Sequence, residues 1–342
     1  MIIKNLKIDG LRNVEKGEFS FCEKKNLIFG LNGTGKSTVL EAIFLSSLGK
    51  SFLNVRKSDL VNYDKDEFLI KLVCRNHIGE SKITVYYNNN FSILLNGKKT
   101  NIVEVSKNMY PVFFSSSNYS LYIESKPYIR KLINRFIFGV SSLYIHYILS
   151  YNKALKQKNV LLKTKQNLSE LRSWNKIISE FAEKIGDIRM EFINKLNKEI
   201  YNKYSHRLEI KYIPSLFSGD GISSEIIFNE LEKIKNKEIE YRRSLKGSHL
   251  DDFEIHLDSR NLKFNSSGEK KINLLMIYIS FIELFKKERN EYPIFMVDDF
   301  DTAIDSKNID FLIENYPELQ VIATSVNNNN RFDKIIELRK EN

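Results

Sequence analysis

The residues from Gly30 to Ser37 have the types and the spacing needed to hold a phosphate group. They read GLNGTGKS, the pattern GxxxxGK[ST] of a phosphate-binding loop, or P-loop. An apolar run precedes the loop and apolar residues at helical spacing follow it, so we predict a strand, a loop and a helix. The glycines would let backbone N–H groups surround the phosphates at the positive end of the helix dipole. A glycine-rich turn capped by a serine is the alternative interpretation.

Two side chains of this loop carry the expected chemistry. Lys36 would reach the β- and γ-phosphates of ATP, and the Ser37 hydroxyl would ligate Mg²⁺. We therefore predict ATP and Mg²⁺ as cofactors, with Lys36 as a catalytic residue. A turn early in the chain is also predicted to contact the nucleotide. The predicted ATP-binding residues are Gly30, Asn32, Gly33, Thr34, Gly35, Lys36, Ser37, Thr38, Arg12 and Asn13.

A pair of acids follows the apolar run IFMV, at Asp298 and Asp299. Acids that end a buried strand are costly unless they face a cation or a ligand, which binds at the open end of a parallel sheet. We expect Asp298 to hold Mg²⁺ with Ser37, and Asp299 to be a catalytic residue that orients the attacking water. Thr324 and Ser325 end another strand and are predicted γ-phosphate sensors. A strand-end turn with surface acids is the alternative.

A third polar segment opens the apolar helix that begins near residue 267. Ser266 and Glu269 form the S-x-x-E pattern of a capping box, which is the simplest interpretation. A capped helix start that contains a glycine is also a good phosphate site, and both interpretations can hold. The residues of interest here are Ser266, Ser267, Gly268 and Glu269.

Composition limits the class of protein. The chain has 342 residues, of which 42% are hydrophobic and 28% are charged, as is ordinary for a globular protein. The N-terminus lacks a signal-peptide layout, and no stretch reaches the length of apolar residues that spans a membrane. The only cysteines of the chain, Cys22 and Cys74, form no CxxC pair. This favours a protein of the reducing cytoplasm and argues against a zinc site. The net charge of +10 fits either a polyanionic partner such as DNA or a solvated lysine surface.

The pattern of residues along the chain predicts a succession of strands and helices. Two short strands are predicted before the P-loop strand, and alternation over residues 66–105, with an Asn96-Gly97 turn, predicts an antiparallel β-layer. Residues 112–118 predict a strand and a loop. Two long helices are then marked by apolar residues from Leu143 to Leu168 and from Trp174 to Ile200, whose stripe favours packing over a ligand site. LEIKYIPSL predicts a strand, SGDGISS a loop, and the segment after it a helix.

This order of motifs resembles that of the ABC-type ATPase heads, which include transporter motors and SMC-like DNA repair proteins. Within that group almost the whole chain resembles the RecF family. SKPYIRKLI is similar to the family's SPxxRRxFL segment, LKGSHLDDFEI to its GPHRDD segment and NSSGEKK to its signature. Trp174 falls on the family's tryptophan. MVDDFDTAID resembles the Walker B motif and the D-loop, which makes Asp305 a D-loop residue.

The resemblance implies an α/β fold: an ABC-type P-loop ATPase head with a mixed sheet and an antiparallel β-layer, plus an inserted helical subdomain called lobe II. The expected division is 1–125 for the N-terminal part of the head, 126–205 for the helical arm, and 206–342 for the C-terminal part. These boundaries follow the change in composition near Lys126 and its reversal after Asn202.

The resemblance also implies a function. Two ATP-bound copies would form a head-to-tail homodimer in which the signature of one touches the nucleotide of the other. The dimer would clamp double-stranded DNA near gaps and help RecO and RecR load RecA, and a weak, DNA-stimulated ATPase activity would release it. We expect a cytoplasmic protein with no membrane partner. Candidate DNA-binding residues are Arg56, Lys57, Arg130, Lys131, Lys153 and Lys156; solvated helix lysines are the alternative.

Several positions depart from the family pattern. Ser248 replaces a proline, Leu250 an arginine, Glu269 a glutamine, Asn134-Arg135 a Leu-Asp pair, and SSNY (116–119) a PEDL segment. They put the strength of hydrolysis and the detail of DNA contact in question. Two other functions stay open: an ABC transporter motor subunit, and a non-catalytic DNA-binding scaffold that ATP controls.

Overall fold

The computed structural model describes residues 1–53, 55–115, 119–164, 167–204, 207–216, 223–303 and 314–339. Two units can be distinguished: Met1–Tyr119 with Ile277–Asn342, and Ser120–Met276. The described residues from 207 to 276, which the sequence assigns to the C-terminal head, group with the helices in the second unit. The three-part division of the chain stays a prediction.

The elements follow in chain order. The strands are β1 (Ile2–Leu11), β2 (Val14–Ser20), β3 (Lys25–Gly30), β4 (Phe68–Arg75), β5 (Glu80–Asn88), β6 (Asn90–Leu95), β7 (Lys98–Lys99), β8 (Pro111–Ser115), β9 (Leu208–Ile213), β10 (Asp252–Leu257), β11 (Arg260–Asn261), β12 (Ile294–Asp298), β13 (Val321–Ser325) and β14 (Lys334–Leu338). The α-helices are α1 (Lys36–Leu48), α2 (Ile102–Asn108), α3 (Tyr119–Glu124), α4 (Lys126–Val140), α5 (Ser142–Thr164), α6 (Leu171–Tyr204), α7 (Ser224–Tyr241), α8 (Ser267–Arg289) and α9 (Phe300–Ala303).

A parallel sheet forms the centre of the first unit. Its strand order is β14-β3-β13-β12-β8, and every neighbouring pair is parallel. β12 and β13 are buried along their whole length, as expected for the inner strands of a parallel sheet. Because all the strands run the same way, the P-loop after β3 and the polar residues that end β12 and β13 lie at one edge.

The second sheet of this unit confirms most of the predicted antiparallel layer. Its order is β2-β1-β4-β5-β6-β7, and β4 alternates buried with less buried residues. Asn96 and Gly97 connect β6 to β7 with positive φ angles of 51° and 80°, as a type I′ turn requires. The prediction was wrong at its end, where residues 102–108 form α2. Asn101 caps this helix by accepting hydrogen bonds from the amides of Val103 and Glu104.

The second unit contains the two predicted long helices as α5 and α6, whose Tyr147 and Phe181 rings lie 6.4 Å apart. α6 matches the predicted Trp174–Ile200 segment. The other helix is shorter than predicted: Leu168 lies in a separate 3-10 turn, and Leu143 and Leu149 are exposed. A three-stranded sheet of order β11-β10-β9 completes this unit with α7.

Taken together, the elements form an α/β architecture with a parallel sheet, an antiparallel layer and a helical unit. This agrees with the α/β class that the sequence predicts. Among the described residues, no helix is long and apolar enough to cross a membrane.

Candidate ATP site

The P-loop connects β3 directly to α1, the context that the motif requires. Gly30 lies so close to β14 that a Cβ atom there would come within 2.3 Å of the Leu338 carbonyl oxygen. A Cβ atom on Gly35 would lie 2.7 Å from Val14, and its φ of 97° disfavours any other residue. These two glycines are therefore required by the chain's own packing as well as by any phosphate.

The N-terminus of α1 is arranged to receive an anion. Gly35 occupies the N-cap position and has no side chain to cap the helix, and no acidic residue lies in the first turn. The first amides of a helix have no partner within the helix, and together with the helix dipole they attract negative charge. This end of α1 can therefore hold the phosphates of a nucleotide.

The ammonium group of Lys36 lies at the mouth of this loop. Its Nζ donates hydrogen bonds to the carbonyl oxygens of Gly30 at 2.8 Å and Leu31 at 2.9 Å, and the residue is only 6% exposed. A buried lysine held by neutral carbonyls is a positive charge available to a phosphate. Lys36 therefore lies within the P-loop, and its contact with a phosphate stays a prediction.

Residues from three elements meet in one hydrogen-bonded cluster. The Ser37 hydroxyl lies 3.0 Å from Oδ1 of Asp298, and the Thr324 hydroxyl donates to the same oxygen at 2.6 Å. The Thr324 oxygen also accepts the amide of Asp299 at 3.0 Å. The predicted metal residues and one predicted sensor therefore converge, although they are far apart in sequence.

The Asp298 carboxyl has the chemistry of a cation ligand. Burial raises its pKa above the ordinary range, and the negative charge of Asp299 acts in the same direction, while hydrogen bonds from Thr324 and Ser37 oppose the rise. A nearby cation would compensate this cost. Among the described residues no group of three or more His, Cys, Asp and Glu side chains could hold a metal. Ser37 and Asp298 fit Mg²⁺, which binds few protein oxygens and completes its shell with water and phosphate.

Asp299 lies beside this cluster, with an exposed side chain and a positive φ of 51°. Ser325, the other predicted sensor, donates a hydrogen bond to Asp301 at 2.5 Å rather than to Asp298. Asp301 was not among the predicted residues, although it is the third acid of the same short segment. The predicted D-loop residue Asp305 lies outside the described residues.

The turn between β1 and β2 holds Arg12 and Asn13, which are predicted to bind ATP, and it contacts the P-loop through Asn13. Nδ2 of Asn13 donates to the Gly33 carbonyl at 2.7 Å, and its Oδ1 accepts the Thr38 hydroxyl at 2.7 Å. Arg12 instead pairs with Glu41 on α1 at 2.7 Å. The sequence analysis missed Glu41, although a charged residue inside the apolar run VLEAIF is a signal that a buried partner exists.

The predicted signature residues lie at the start of α8, within the second unit. The carboxylate of Glu269 accepts the Ser266 amide at 3.0 Å and the Ser266 hydroxyl at 2.8 Å, and the Glu269 amide lies 3.3 Å from the Ser266 oxygen. This is the reciprocal capping box that the spacing predicts. These hydrogen bonds lower the pKa of Glu269, the bond from the Ser266 hydroxyl most of all. Ser267 and Gly268 are exposed in the first turn.

The candidate DNA-binding residues differ in their surroundings. Arg130 is half-buried and donates a hydrogen bond to the Asp251 carbonyl at 2.7 Å, so it has a structural role. Burial lowers the pKa of Lys57, whose Nζ lies 3.7 Å from the centre of the Phe91 ring. Exposed side chains are found at Arg56, Lys131, Lys153 and Lys156.

Comparison with known proteins supports the same interpretation over the whole length. The family model described as the RecF/RecN/SMC N terminal domain matches residues 2–341. The DNA replication and repair protein RecF of Acetivibrio thermocellus is 31% identical, with 95% of this chain and 93% of that protein covered. The chain belongs to the RecF family. The ABC-type ATPase class predicted from the motifs is therefore confirmed, and so is the predicted RecF-like recombination mediator, in preference to the alternative of a transporter motor.

Solved structures of RecF proteins share the fold. One is described as the recombination mediator protein RecF with ATP in the RecFOR pathway; it is 27% identical with a TM-score of 0.89, covering 96% of this chain and 92% of that one. A second RecF structure has a TM-score of 0.88 at 26% identity, covering 98% and 97%. An SMC head bound to a domain of ScpA, at 16% identity and a TM-score of 0.55, has a related fold.

Four of the departures from the RecF pattern, at Asn134, Arg135, Ser248 and Leu250, lie inside the second unit, whereas residues 116–118 of the SSNY segment lie outside the described residues. Asn134 accepts hydrogen bonds from the Tyr144 hydroxyl at 2.6 Å and from Arg189 at 3.1 Å. Arg189 is buried, and it also donates to the Ser248 carbonyl and to the Asp251 carboxylate. Ser248 and Asn134 therefore belong to one buried polar network, whereas Leu250 is 43% exposed.

Proposed function

We propose that the chain binds ATP with Mg²⁺ and hydrolyses it slowly, at a rate that DNA increases. The supporting observation is the convergence of Lys36, Ser37, Asp298 and Thr324 at one edge of the parallel sheet. Lys36 would bind the β- and γ-phosphates, while Ser37 and Asp298 would hold Mg²⁺, which neutralises charge on the phosphates when bound. Asp299 would orient the attacking water.

We further propose that ATP joins two copies of the chain head to tail. The P-loop of one copy and the Ser266–Glu269 turn of its partner would enclose each nucleotide. Gly268 supports this proposal: it is helical, and a Cβ atom there would meet nothing within 4 Å among the described residues. The chain's own fold does not require a glycine at that position, whereas close approach of a partner's phosphate would.

The family supports a proposal for the biological role. The related RecF structures are described as those of a recombination mediator in the RecFOR pathway. We propose that the ATP-bound dimer grips double-stranded DNA near gaps in the cytoplasm, and that RecO and RecR act with it to load RecA. The exposed basic residues Arg56, Lys131, Lys153 and Lys156 are the candidates for contact with DNA phosphates.

One experiment tests the core of this proposal. Light scattering would give the mass of the chain without nucleotide, with ADP and with ATP, each with Mg²⁺. We expect a dimer in the sample with ATP but not in the other two samples. We also expect the chain to bind a gapped duplex more tightly with ATP than with ADP or without nucleotide. A mass that does not respond to ATP would contradict the proposed dimer.

Turnover with and without DNA separates an ATPase from a scaffold that only binds ATP. Asp299→Asn keeps the size of the side chain and removes its charge, while Asp298 still serves the metal. We expect the variant to bind ATP and dimerise, with turnover reduced by about a hundredfold, the scale for loss of a positioned base. If the parent does not hydrolyse ATP even with DNA, the non-catalytic scaffold is the better description.

A further inference from the structure

Arg12 has a backbone conformation that is unfavourable for an arginine. It is the first residue of the two-residue connection between β1 and β2, in which Leu11 pairs with Val14, and its φ is 51°. Glycine, asparagine and aspartate are the residues that tolerate positive φ in such turns. A bulky side chain held in this region costs free energy, and such residues concentrate at functional sites.

The segment from Leu60 to Asn62 holds the backbone of Arg12 in this conformation. The Arg12 amide donates to the Leu60 carbonyl at 2.8 Å, and Nδ2 of Asn62 donates to the Arg12 carbonyl at 2.5 Å. The Asn62 amide also donates to the Gly10 carbonyl at 2.9 Å. Both polar groups of the Arg12 backbone are therefore satisfied by one segment.

The side chain of Arg12 is fixed by a buried acid. Its Nη1 lies 2.7 Å from Oε2 of Glu41, whose side chain has no exposed area, and the Ser51 hydroxyl donates to the other oxygen, Oε1. A buried carboxylate must be paired, so the position of the guanidinium is defined. Because an arginine has five N–H donors, this pair leaves most of them available to another acceptor.

The neighbouring residue attaches the same turn to the P-loop. Asn13 contacts the Gly33 carbonyl and the Thr38 hydroxyl, both at 2.7 Å. Glu41 itself lies on α1, one helical turn after Ser37. The guanidinium of Arg12 is thus held against the helix whose N-terminus forms the proposed phosphate site.

We propose that Glu41 and Asn62 are positioning residues that hold the Arg12 guanidinium toward the phosphates of the bound nucleotide. Glu41 fixes the position of the Arg12 side chain through the ion pair. Asn62 holds the Arg12 backbone in the conformation that lets the side chain reach Glu41. This inference rests on the proposed ATP site. It explains why an arginine occupies a turn position that favours glycine.

The test compares Glu41→Gln and Asn62→Ala with the parent by steady-state turnover of Mg²⁺-ATP and by nucleotide affinity. Misplacing a binding group by about 1 Å can cost up to about a hundredfold, so we expect kcat/KM to fall by about ten- to a hundredfold in each variant. Glu18→Gln is the matched control, because it removes an acid of an ion pair, with Lys7 at 2.9 Å, on the same β1–β2 hairpin. We expect the control to behave like the parent.

A double-mutant cycle separates positioning from a general structural role. If Glu41 acts through Arg12, Glu41→Gln should change kcat/KM by less than about twofold in an Arg12→Gly background. An undiminished effect in that background would overturn the inference, because Glu41 would then act without Arg12. Asn62→Ala is tested in the same way, with and without Arg12→Gly. It provides a second test of the inference if Glu41→Gln does not fold.

The outcomes also distinguish this inference from the function on which it rests. A parent chain that does not bind ATP would contradict the proposed function itself. If the parent binds ATP and Lys36→Ala abolishes that binding, while Glu41→Gln and Asn62→Ala match the parent, the ATP site stands and the positioning role is wrong.

Discussion

The helices α1 and α8 both begin in a turn that contains glycine and serine, but their first turns are completed differently. α1 starts at Lys36 after the N-cap residue Gly35, with no side-chain cap and no acid in its first turn. α8 starts with Ser266 and Glu269, which satisfy each other's amides and hydroxyl. An anion at the start of α1 can bind backbone amides that no side chain caps. An anion at the start of α8 must first displace the Glu269 carboxylate.

This difference distinguishes a site that binds the chain's own nucleotide from one that would contact a partner's nucleotide. Lys36 and the Ser37–Asp298 cluster lie beside the start of α1 in the same unit, so the proposed contacts of one chain with its own nucleotide all come from that unit. The start of α8 is exposed and already capped, which suits a surface that acts on a partner's nucleotide only when the γ-phosphate is present. Substitutions at the two helix starts should therefore have different consequences.

The largest effect is expected for Lys36→Ala. Charge-assisted hydrogen bonds contribute about 1.5–3 kcal/mol each, so losing contacts to two phosphates should weaken ATP binding by about a hundredfold or more. Dimerisation should be lost with it, because both depend on the same phosphates. Fluorescence titration with ATP measures the affinity, and unchanged binding would show that α1 is not the nucleotide site.

The next effect concerns the start of α8. Ser266→Arg should place a cation opposite the partner's P-loop, where Lys36 already lies, and like charges brought together cost several kcal/mol. We expect ATP affinity near that of the parent and dimerisation weakened by at least about thirtyfold, with DNA binding reduced in parallel. Light scattering and nucleotide titration on the same sample are decisive, and a variant that dimerises like the parent would contradict a signature acting on the partner's nucleotide.

Two matched glycine substitutions compare the helices directly. Gly35→Ala places a Cβ atom 2.7 Å from Val14 at a φ of 97°, so we expect the free energy of unfolding to fall by about 1–3 kcal/mol. A Cβ atom at Gly268 meets no described atom within 4 Å, so Gly268→Ala should raise the free energy of unfolding by about 0.5 kcal/mol, because alanine favours the helix. Urea unfolding measures the change in the free energy of unfolding for both variants. A destabilising Gly268→Ala would show that the chain's own fold requires that glycine.

The parts of the fold that sequence predicted well are those that local patterns determine. The P-loop, the Asn96-Gly97 turn and the capping box at Ser266 each depend on residues close in sequence, and all three are found. β14 was not predicted, since it is a short strand at the edge of the parallel sheet and exists because it pairs with β3. α2 was also missed, although Asn101 followed by Glu104 is a recognisable helix start.

The site shows the same limit. The pairing of Ser37 with Asp298 could be predicted because both motifs are known to converge at the edge of a parallel sheet. The Arg12–Glu41 pair could not, because 29 positions separate the two residues and only the packed structure brings them together. Arg130 was grouped with exposed basic residues for the same reason, since its contact with the Asp251 carbonyl depends on packing rather than on spacing.

The smallest expected effect tests the most specific part of the comparison. Glu269 stands where the RecF family usually has glutamine, and its carboxylate accepts the Ser266 amide and hydroxyl that a partner's phosphate would need. A glutamine can still accept these hydrogen bonds through its amide oxygen, but it carries no charge to repel a phosphate. Glu269→Gln should therefore preserve the helix start and make the exchange of carboxylate for phosphate easier.

The expected change is an ATP-dependent dimer that is tighter by about two- to fivefold, the range for an exposed charge interaction. Glu124→Gln is the control, because Glu124 pairs with Lys270 at 2.7 Å, beside the same helix start, and its loss changes the net charge equally without touching Ser266. Dimer dissociation constants at low and high salt measure the effect, and the gap between Glu269→Gln and the parent should narrow as salt screens the repulsion. Equal dissociation constants for the parent and both variants at low salt would show that Glu269 only caps α8 and does not compete with a partner's nucleotide.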